Sequence, residues 1–338
     1  MASRGRVLLV HTGGTLGMRR GPDGTYAPVP GALAVGLEHL VELDDPTLPS
    51  IELLEEEPLL DSSNMRPHDW QRIADVIVAR SGEVDGVVVL HGTDTMAYTA
   101  SALSFMLEGL DRPVVLTGSQ IPLAEVRSDA RENLITSLLL ATTPFLAEVV
   151  VYLGGAVLRG NRSTKISAGG FDAFASPNLP PLADVGVDVA WRRELLRVPE
   201  PGPVRSLRLQ DVSVVALRLF PGITGRILRQ VLGDPVRGMV LETYGSGNAP
   251  TDRDVLAALT EATERGVTIV NVTQCLRGEV RMDAYAAGKT LEEAGVVSGG
   301  DMTAEAALTK LYVLASGGGG RDVVSRGMLA DRAGERSA

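Results

Sequence analysis

Short uninterrupted apolar runs alternate along the chain with stretches whose apolar residues recur every three to four positions. Val7-Leu8-Leu9-Val10, Val87-Val88-Val89-Leu90, Pro113-Val114-Val115-Leu116 and the segment 148–153 have the length and composition of buried strands. Between them, Trp70, Ile73, Ala74, Ile77 and Val78 follow the spacing of one helix face. Pro67 sits where that helix should open and Gly82 where it should have ended. Further helices are expected over about 95–110 and 128–142. Strands alternating with helices imply βαβ units and a mostly parallel sheet. From Pro177 to Gly202 the pattern breaks, and Pro177, Pro180, Pro181, Pro199 and Pro201 read as a linker. A second α/β pattern follows, with strands at 214–219, 237–241 and 267–272 and helices at 223–232, 252–265, 284–294 and 302–315. The expected architecture is α/β. A larger N-terminal domain over 1–190 carries a mostly parallel open sheet flanked by helices. A linker at 191–212 leads to a smaller C-terminal α/β domain over 213–338. Gly317–Gly320 and the tail Arg332–Ala338 are expected to be mobile.

At 338 residues and 44% hydrophobic content the chain can bury two cores. A net charge of −10 argues against sequence-independent nucleic-acid binding, which needs a basic face, and against docking on an anionic membrane. No apolar stretch approaches the ~18 residues of a membrane span, and Met1–Arg6 lacks the apolar core of a signal peptide. A cytoplasmic location is therefore expected. Cys275 is the single cysteine, which removes internal disulfides and cysteine-rich metal sites. His11, His39, His68 and His91 show no metal-ligand spacing, and neither a metal nor a cofactor is expected. Only three of the 32 basic residues are lysines. Lysine, unlike arginine, can lose its proton when desolvated, so Lys165 in the polar run Arg162-Ser163-Thr164-Lys165 draws attention.

Two strand ends carry nearly the same chemistry: His11-Thr12-Gly13-Gly14-Thr15 and His91-Gly92-Thr93-Asp94-Thr95. In a parallel sheet both emerge at the carboxyl edge, where open α/β folds place ligands. Each has a plainer reading. The glycines serve a tight turn, and Thr93 or Asp94 caps the next helix. Asp61-Ser62-Ser63-Asn64 reads as a helix cap or as a carboxylate-binding turn. Glu55-Glu56-Glu57 reads as a solvated strand edge, and His11 and His91 as packing residues behind the motifs. No Gly-Lys-Ser/Thr and no Gly-x-Ser-x-Gly is associated with these turns, which sets aside a P-loop and an α/β-hydrolase elbow.

Taken together these runs resemble the bacterial-type L-asparaginases, and more narrowly their cytoplasmic, type I branch. The resemblance is carried by Thr12-Gly-Gly-Thr15-Leu-Gly-Met18, Asp61-Ser-Ser63, the segment from Leu90 to Met106, Leu116-Thr-Gly-Ser-Gln-Ile-Pro-Leu123, Arg159-Gly-Asn-Arg-Ser-Thr-Lys165 and Phe171–Asn178. Tyr244-Gly-Ser-Gly-Asn-Ala-Pro250 and Asn271-Val-Thr-Gln-Cys275 extend it into the second half. It implies hydrolysis of L-asparagine through a threonine acyl-enzyme. Thr15 and Tyr26 would form one catalytic group, with Tyr26 on a loop at 19–30 that closes as a lid. Thr93, Asp94 and Lys165 would form the second. Ser62 and Ser63 would hold the substrate carboxylate, Asp94 its ammonium, and Asn248 would reach a neighbouring subunit's site in a homodimer or dimer of dimers. Backbone amides at Gly14-Thr15 and Thr93 are candidates for the oxyanion hole.

The residue types suit this chemistry. A threonine hydroxyl is a poor nucleophile, and covalent catalysis of amide hydrolysis needs a base beside it. A lysine amine can serve, but a neighbouring carboxylate favours its charged form. The substrate's ammonium would compete for that carboxylate and switch the base on. Two other readings share the residues: the amidase subunit of a tRNA-dependent amidotransferase, and a non-catalytic asparagine sensor. The first would carry an extra N-terminal domain, and few residues precede the first strand here. The second need not retain a base.

One position departs from the family. Some cytoplasmic members bind effector asparagine at a subunit interface partly lined by an arginine. Glu242 stands at the corresponding position, although Thr164 and Cys275 match. A carboxylate repels the effector's carboxylate where an arginine would pair with it. Ammonia release is therefore expected to rise hyperbolically with asparagine concentration. A sigmoidal curve that becomes hyperbolic in Glu242→Gln contradicts this reading.

Overall fold

The computed structural model describes residues 5–199, 202–283 and 286–337. The chain divides into two compact units, Met1–Leu207 and Arg208–Ala338.

The first unit opens with β1 (Arg6–Gly13), a short hairpin of β2 (Met18–Arg20) and β3 (Tyr26–Pro28), helix α1 (Ala32–Glu38) and β4 (Ser50–Leu60). Helix α2 (Pro67–Arg80), β5 (Gly86–Leu90), α3 (Met96–Met106), β6 (Leu107–Glu108), β7 (Val114–Thr117), α4 (Ala130–Leu140) and β8 (Val149–Leu153) follow. The unit then adds the short strands β9 (Ala156–Arg159), β10 (Thr164–Lys165), β11 (Phe174–Ala175), β12 (Ala183–Val185), β13 (Val189–Trp191) and β14 (Arg205–Ser206). Eight strands form one sheet in the order β13-β12-β9-β8-β7-β5-β1-β4. From β8 to β4 all neighbours are parallel, and β9, β12 and β13 continue antiparallel. The central strands are covered on both faces, which is why they read as unbroken apolar runs: Val7 to Val10 and Val87 to Leu90 have no exposure.

The expected linker behaves differently. Residues 183–185 join the large sheet beside β9, residues 189–191 form its edge, and Arg205-Ser206 pairs with β6. Proline is tolerated beside edge strands because no second ladder needs its missing N–H. The division into two compact units falls after Leu207. Pro201 lies outside the described residues.

The second unit holds a four-stranded parallel sheet of β15 (Ser213–Arg218), β16 (Val236–Thr243), β17 (Thr268–Thr273) and β18 (Val297–Ser298). Helices α5 (Gly225–Val231), α6 (Arg253–Glu264), α7 (Ala286–Glu293), α8 (Ala304–Ser316) and α9 (Arg321–Leu329) complete it. Successive residues on a strand face opposite sides. Met239, Leu241 and Ile269 accordingly pack with Leu228, Val255 and Leu259, while Val240, Val270 and Val272 pack with Leu311, Val324 and Met328. The start of α7 expected at 284 lies outside the described residues. No helix among the described residues is long and apolar enough to cross a membrane.

The C-terminal tail is pinned, contrary to the expectation of mobility. Glu335 is fully buried and pairs at 2.5 Å with Lys310, which is also fully buried and donates to the carbonyls of Met328 and Ala330. Glu335 also accepts from the backbone amides of Arg332 and Ala333, and the Asp301 carboxylate accepts from Ser337. Burial works to raise the Glu335 carboxyl, yet Lys310 and the amides hold it below the usual carboxylate value. Ala338 lies outside the described residues. Removing one partner of a buried pair leaves an uncompensated charge, so Glu335→Ala should destabilise the chain by about 3–5 kcal/mol in urea denaturation. The double replacement Lys310→Met with Glu335→Leu should recover most of that loss.

Candidate active site

Four consecutive strands, β4, β1, β5 and β7, end at the same edge of the large sheet, and each delivers part of one pocket. Gly13 ends β1 and Gly14 follows it, with φ of 117° and 79°, a conformation side chains rarely adopt. This turn lets Gly14 N–H donate to the Leu60 carbonyl at 3.0 Å. A Cβ on Gly14 would collide with the backbone of Gly92, and one on Gly92 with the Ser62 side chain. Thr12 Oγ1 also donates to the Leu90 carbonyl at 2.9 Å. Gly14 thus touches Leu60 and Gly92 backbone to backbone, and Gly92 lies against the Ser62 side chain.

The pocket they form has a volume of about 130 Å3. Its wall consists of Gly14, Thr15, Met18, Asp61, Ser62, Gly92, Thr93, Asp94, Gln120, Lys165 and Ala168. Lys165 arrives on the hairpin of β10 and β11 and donates to Thr93 Oγ1 at 2.8 Å and to Asp94 Oδ1 at 2.6 Å. The Thr93 hydroxyl in turn donates to Gln120 Oε1 at 3.3 Å. Thr93 is buried, and the Lys165 side chain is 18% exposed. The Asp94 side chain is 65% exposed, which leaves its carboxylate room for a second cation.

Thr15, Ser62, Thr93, Asp94 and Lys165 therefore come together in one wall. Ser63 and Tyr26, candidates of the same unit, do not join them. Ser63 is exposed and turns back onto Asp61, whose carboxylate accepts from its amide at 2.9 Å and its hydroxyl at 2.8 Å. Asp61 thereby caps the short turn Ser62–Asn64, while α2 is opened by Asp69 accepting from Arg66 N–H. Tyr26 does not line the pocket. Its hydroxyl donates to Glu125 at 3.0 Å, a bond that also raises the phenol above its ordinary value. Asn248 lies in the second unit, where its backbone pairs with that of Tyr244. The Gly14 amide, a candidate oxyanion donor, is already committed to Leu60.

Met18, Gln120 and Ala168 line the wall without having been site candidates in the sequence. Gln120 ends the run after β7, and the strand-end argument used for Thr15 and Thr93 would have found it if extended one strand further. Its backbone is fixed by Asp129 and its Nε2 donates to the Gly170 carbonyl. Asp61, in the run Asp61–Asn64 expected as a helix cap or a carboxylate-binding turn, both caps the short turn and lines the pocket.

Behind Thr93 stands a buried chain of hydrogen bonds. Trp70 Nε1 donates to Thr99 Oγ1 at 3.1 Å, and Thr99 Oγ1 lies 2.9 Å from His91 Nε2. His91 Nδ1 lies 2.7 Å from the Gly92 carbonyl. A carbonyl can only accept, so Nδ1 carries the proton and Nε2 receives the Thr99 hydroxyl. Burial pushes His91 down to about 4.

The N-terminal asparaginase family model matches residues 6–197, and the glutaminase/asparaginase C-terminal domain model matches residues 213–328. The chain is 48% identical over 315 residues to L-asparaginase 1 of Escherichia coli K12, covering 92% of this chain and 91% of that protein. It is 45% identical over 342 residues to a mouse 60 kDa lysophospholipase, covering 94% of this chain and 60% of that protein. The crystal structure of L-asparaginase I from Vibrio cholerae superposes with a TM-score of 0.92 at 42% identity, covering 99% of this chain and all of that one.

The neutral His91 has a consequence for stability. Its folded value lies below its unfolded value near 6.5, so only the unfolded chain takes up this proton between pH 6.5 and about 4. Stability is lost as pH falls through that window, by about 3 kcal/mol from this group. Urea denaturation against pH should show the decline, and His91→Asn should flatten it. An unchanged slope in the variant would exclude His91 as its source.

Proposed function

The chain belongs to the asparaginase family, and we propose that it hydrolyses L-asparagine to L-aspartate and ammonia through a threonine acyl-enzyme. The observation that carries this reading is the contact of Lys165 Nζ with both the Thr93 hydroxyl and the Asp94 carboxylate, in one pocket with Thr15. The pocket suits one small polar amino acid. Its wall is made of hydroxyls, carboxylates, an amide, an ammonium and glycine backbone, with Met18 and Ala168 as its apolar side chains. A long acyl chain would find no apolar channel in such a wall.

In this reading the substrate's α-carboxylate lies against Ser62 and its α-ammonium against Asp94. The ammonium competes with Lys165 for Asp94 and releases the lysine amine to act as base. A threonine oxygen attacks the side-chain amide carbon, its proton passes to Lys165, and the same proton is handed to the departing nitrogen, which leaves as ammonia. Water then cleaves the ester, restoring the threonine and releasing aspartate. With the Gly14 amide committed to Leu60, the oxyanion is assigned to the amides of Thr15 and Thr93. Tyr26, on the hairpin of β2 and β3, is assigned to the closed state, since its present partner is Glu125. The active assembly is a homodimer or dimer of dimers in the cytoplasm, with Asn248 directed to a neighbouring subunit's site. No metal, cofactor, nucleic acid or membrane takes part.

The test is ammonia release from L-asparagine by the purified chain. Lys165→Met should lower kcat at least about 100-fold, the usual worth of a positioned base. Thr15→Val and Thr93→Val should each lose more. No ammonia at millimolar asparagine, or full turnover in Lys165→Met, would overturn the reading.

A further inference from the structure

The glutamate run 55–57 was expected to be a solvated edge, yet Glu55 is occupied on both oxygens. Oε2 lies 3.0 Å from Nδ1 of His11, its direct neighbour across β1 and β4. Oε1 accepts from the Gly31 amide at 2.8 Å. His11 is fully buried, and burial holds its imidazole below the ordinary histidine value against the pull of Glu55. The neutral ring therefore donates from Nδ1 to the carboxylate. Its other nitrogen has no hydrogen-bond partner and faces Gly17, where a Cβ would come within 2.6 Å of both Cε1 and Nε2.

Gly17 and Gly31 are the two stems of the hairpin formed by β2 and β3. Gly17 ends the turn Thr15–Gly17 and precedes β2. Gly31, with φ of 73°, follows β3 and precedes α1. The strand β3 lies against that same turn, Thr15–Gly17. One pair, a buried histidine with a partly exposed glutamate, thus seats both ends of the arm that carries Tyr26.

We propose that the His11–Glu55 pair is a positioning device that fixes both stems of the 18–30 arm and so sets how the arm closes over substrate at Thr15. The closure itself rests on the function proposed above; the anchoring of the stems does not. Neither residue touches the pocket, and the pair acts only through Gly17 and Gly31. Without the carboxylate, the Gly31 amide and the His11 Nδ1–H lose their acceptor together, and the arm samples positions that do not cover the site. Apparent affinity falls by the fraction of time the arm spends out of place, while the catalytic groups are untouched.

Two readouts on the full chain test this. In Glu55→Leu, trypsin should cut after Arg19 or Arg20 at least about tenfold faster than in the wild type. KM for asparagine should rise about tenfold, with kcat within about twofold, as for an arm in place one-tenth of the time. Gly17→Ala, which presses a methyl group on the His11 ring from the other stem, should move both readouts the same way and covers the case in which Glu55→Leu does not fold. Wild-type protection of the arm in both variants, or a kcat loss at unchanged KM, would overturn the proposal. If the wild type releases no ammonia, the proposed function fails while the trypsin comparison still decides the anchoring.

Discussion

The site depends on the contact of bare backbone at the carboxyl edge of one parallel sheet. Gly13 and Gly14 bring the end of β1 against Leu60 and Gly92, and Gly92 in turn lies against Ser62. A methyl group at any of these glycines would push two strand ends apart. Because the glycines let the loops approach so closely, hydroxyls from three different strands share one small cavity. Thr93 is held from below by the chain Trp70, Thr99, His91 and Gly92, and from the side by Lys165 and Gln120. Preorganisation of this kind is what a weak hydroxyl nucleophile requires, since little reorganisation remains at the moment of reaction.

The parts of the fold that were legible in the sequence are those whose burial is symmetric. β1, β5, β7 and β8 are covered on both faces and appear as plain apolar runs, and α2 and α6 each present one apolar face. The edge strands were not legible. β4 carries Glu52 and the run Glu55-Glu56-Glu57 between pairs of leucines and has one neighbour, so its pattern is that of a polar segment. β12 and β13 are three residues each and lie among prolines. Short edge strands take their stability from the sheet they join, and local sequence says little about them.

The candidate site divides along the same line. Thr15, Thr93 and Lys165 were visible because turn chemistry follows directly on strand ends or stands out in a lysine-poor chain. The pairings were not. Lys310 with Glu335, His11 with Glu55, and Tyr26 with Glu125 join residues 25, 44 and 99 positions apart, and only the tertiary fold brings them together. Their charged members look like ordinary surface residues in the sequence. Once buried or doubly bonded they fix the tail, the arm stems and the arm tip.

The central claim is that two threonines from neighbouring strands and one lysine form a single hydrolytic centre that works through a covalent ester. Rapid quenching of the protein with L-asparagine, followed by peptide mass mapping, tests it most directly. The account predicts an aspartyl adduct on Thr15 or Thr93, absent when Lys165 is replaced by methionine. Turnover with no adduct on either threonine, or an adduct elsewhere in the chain, would contradict it.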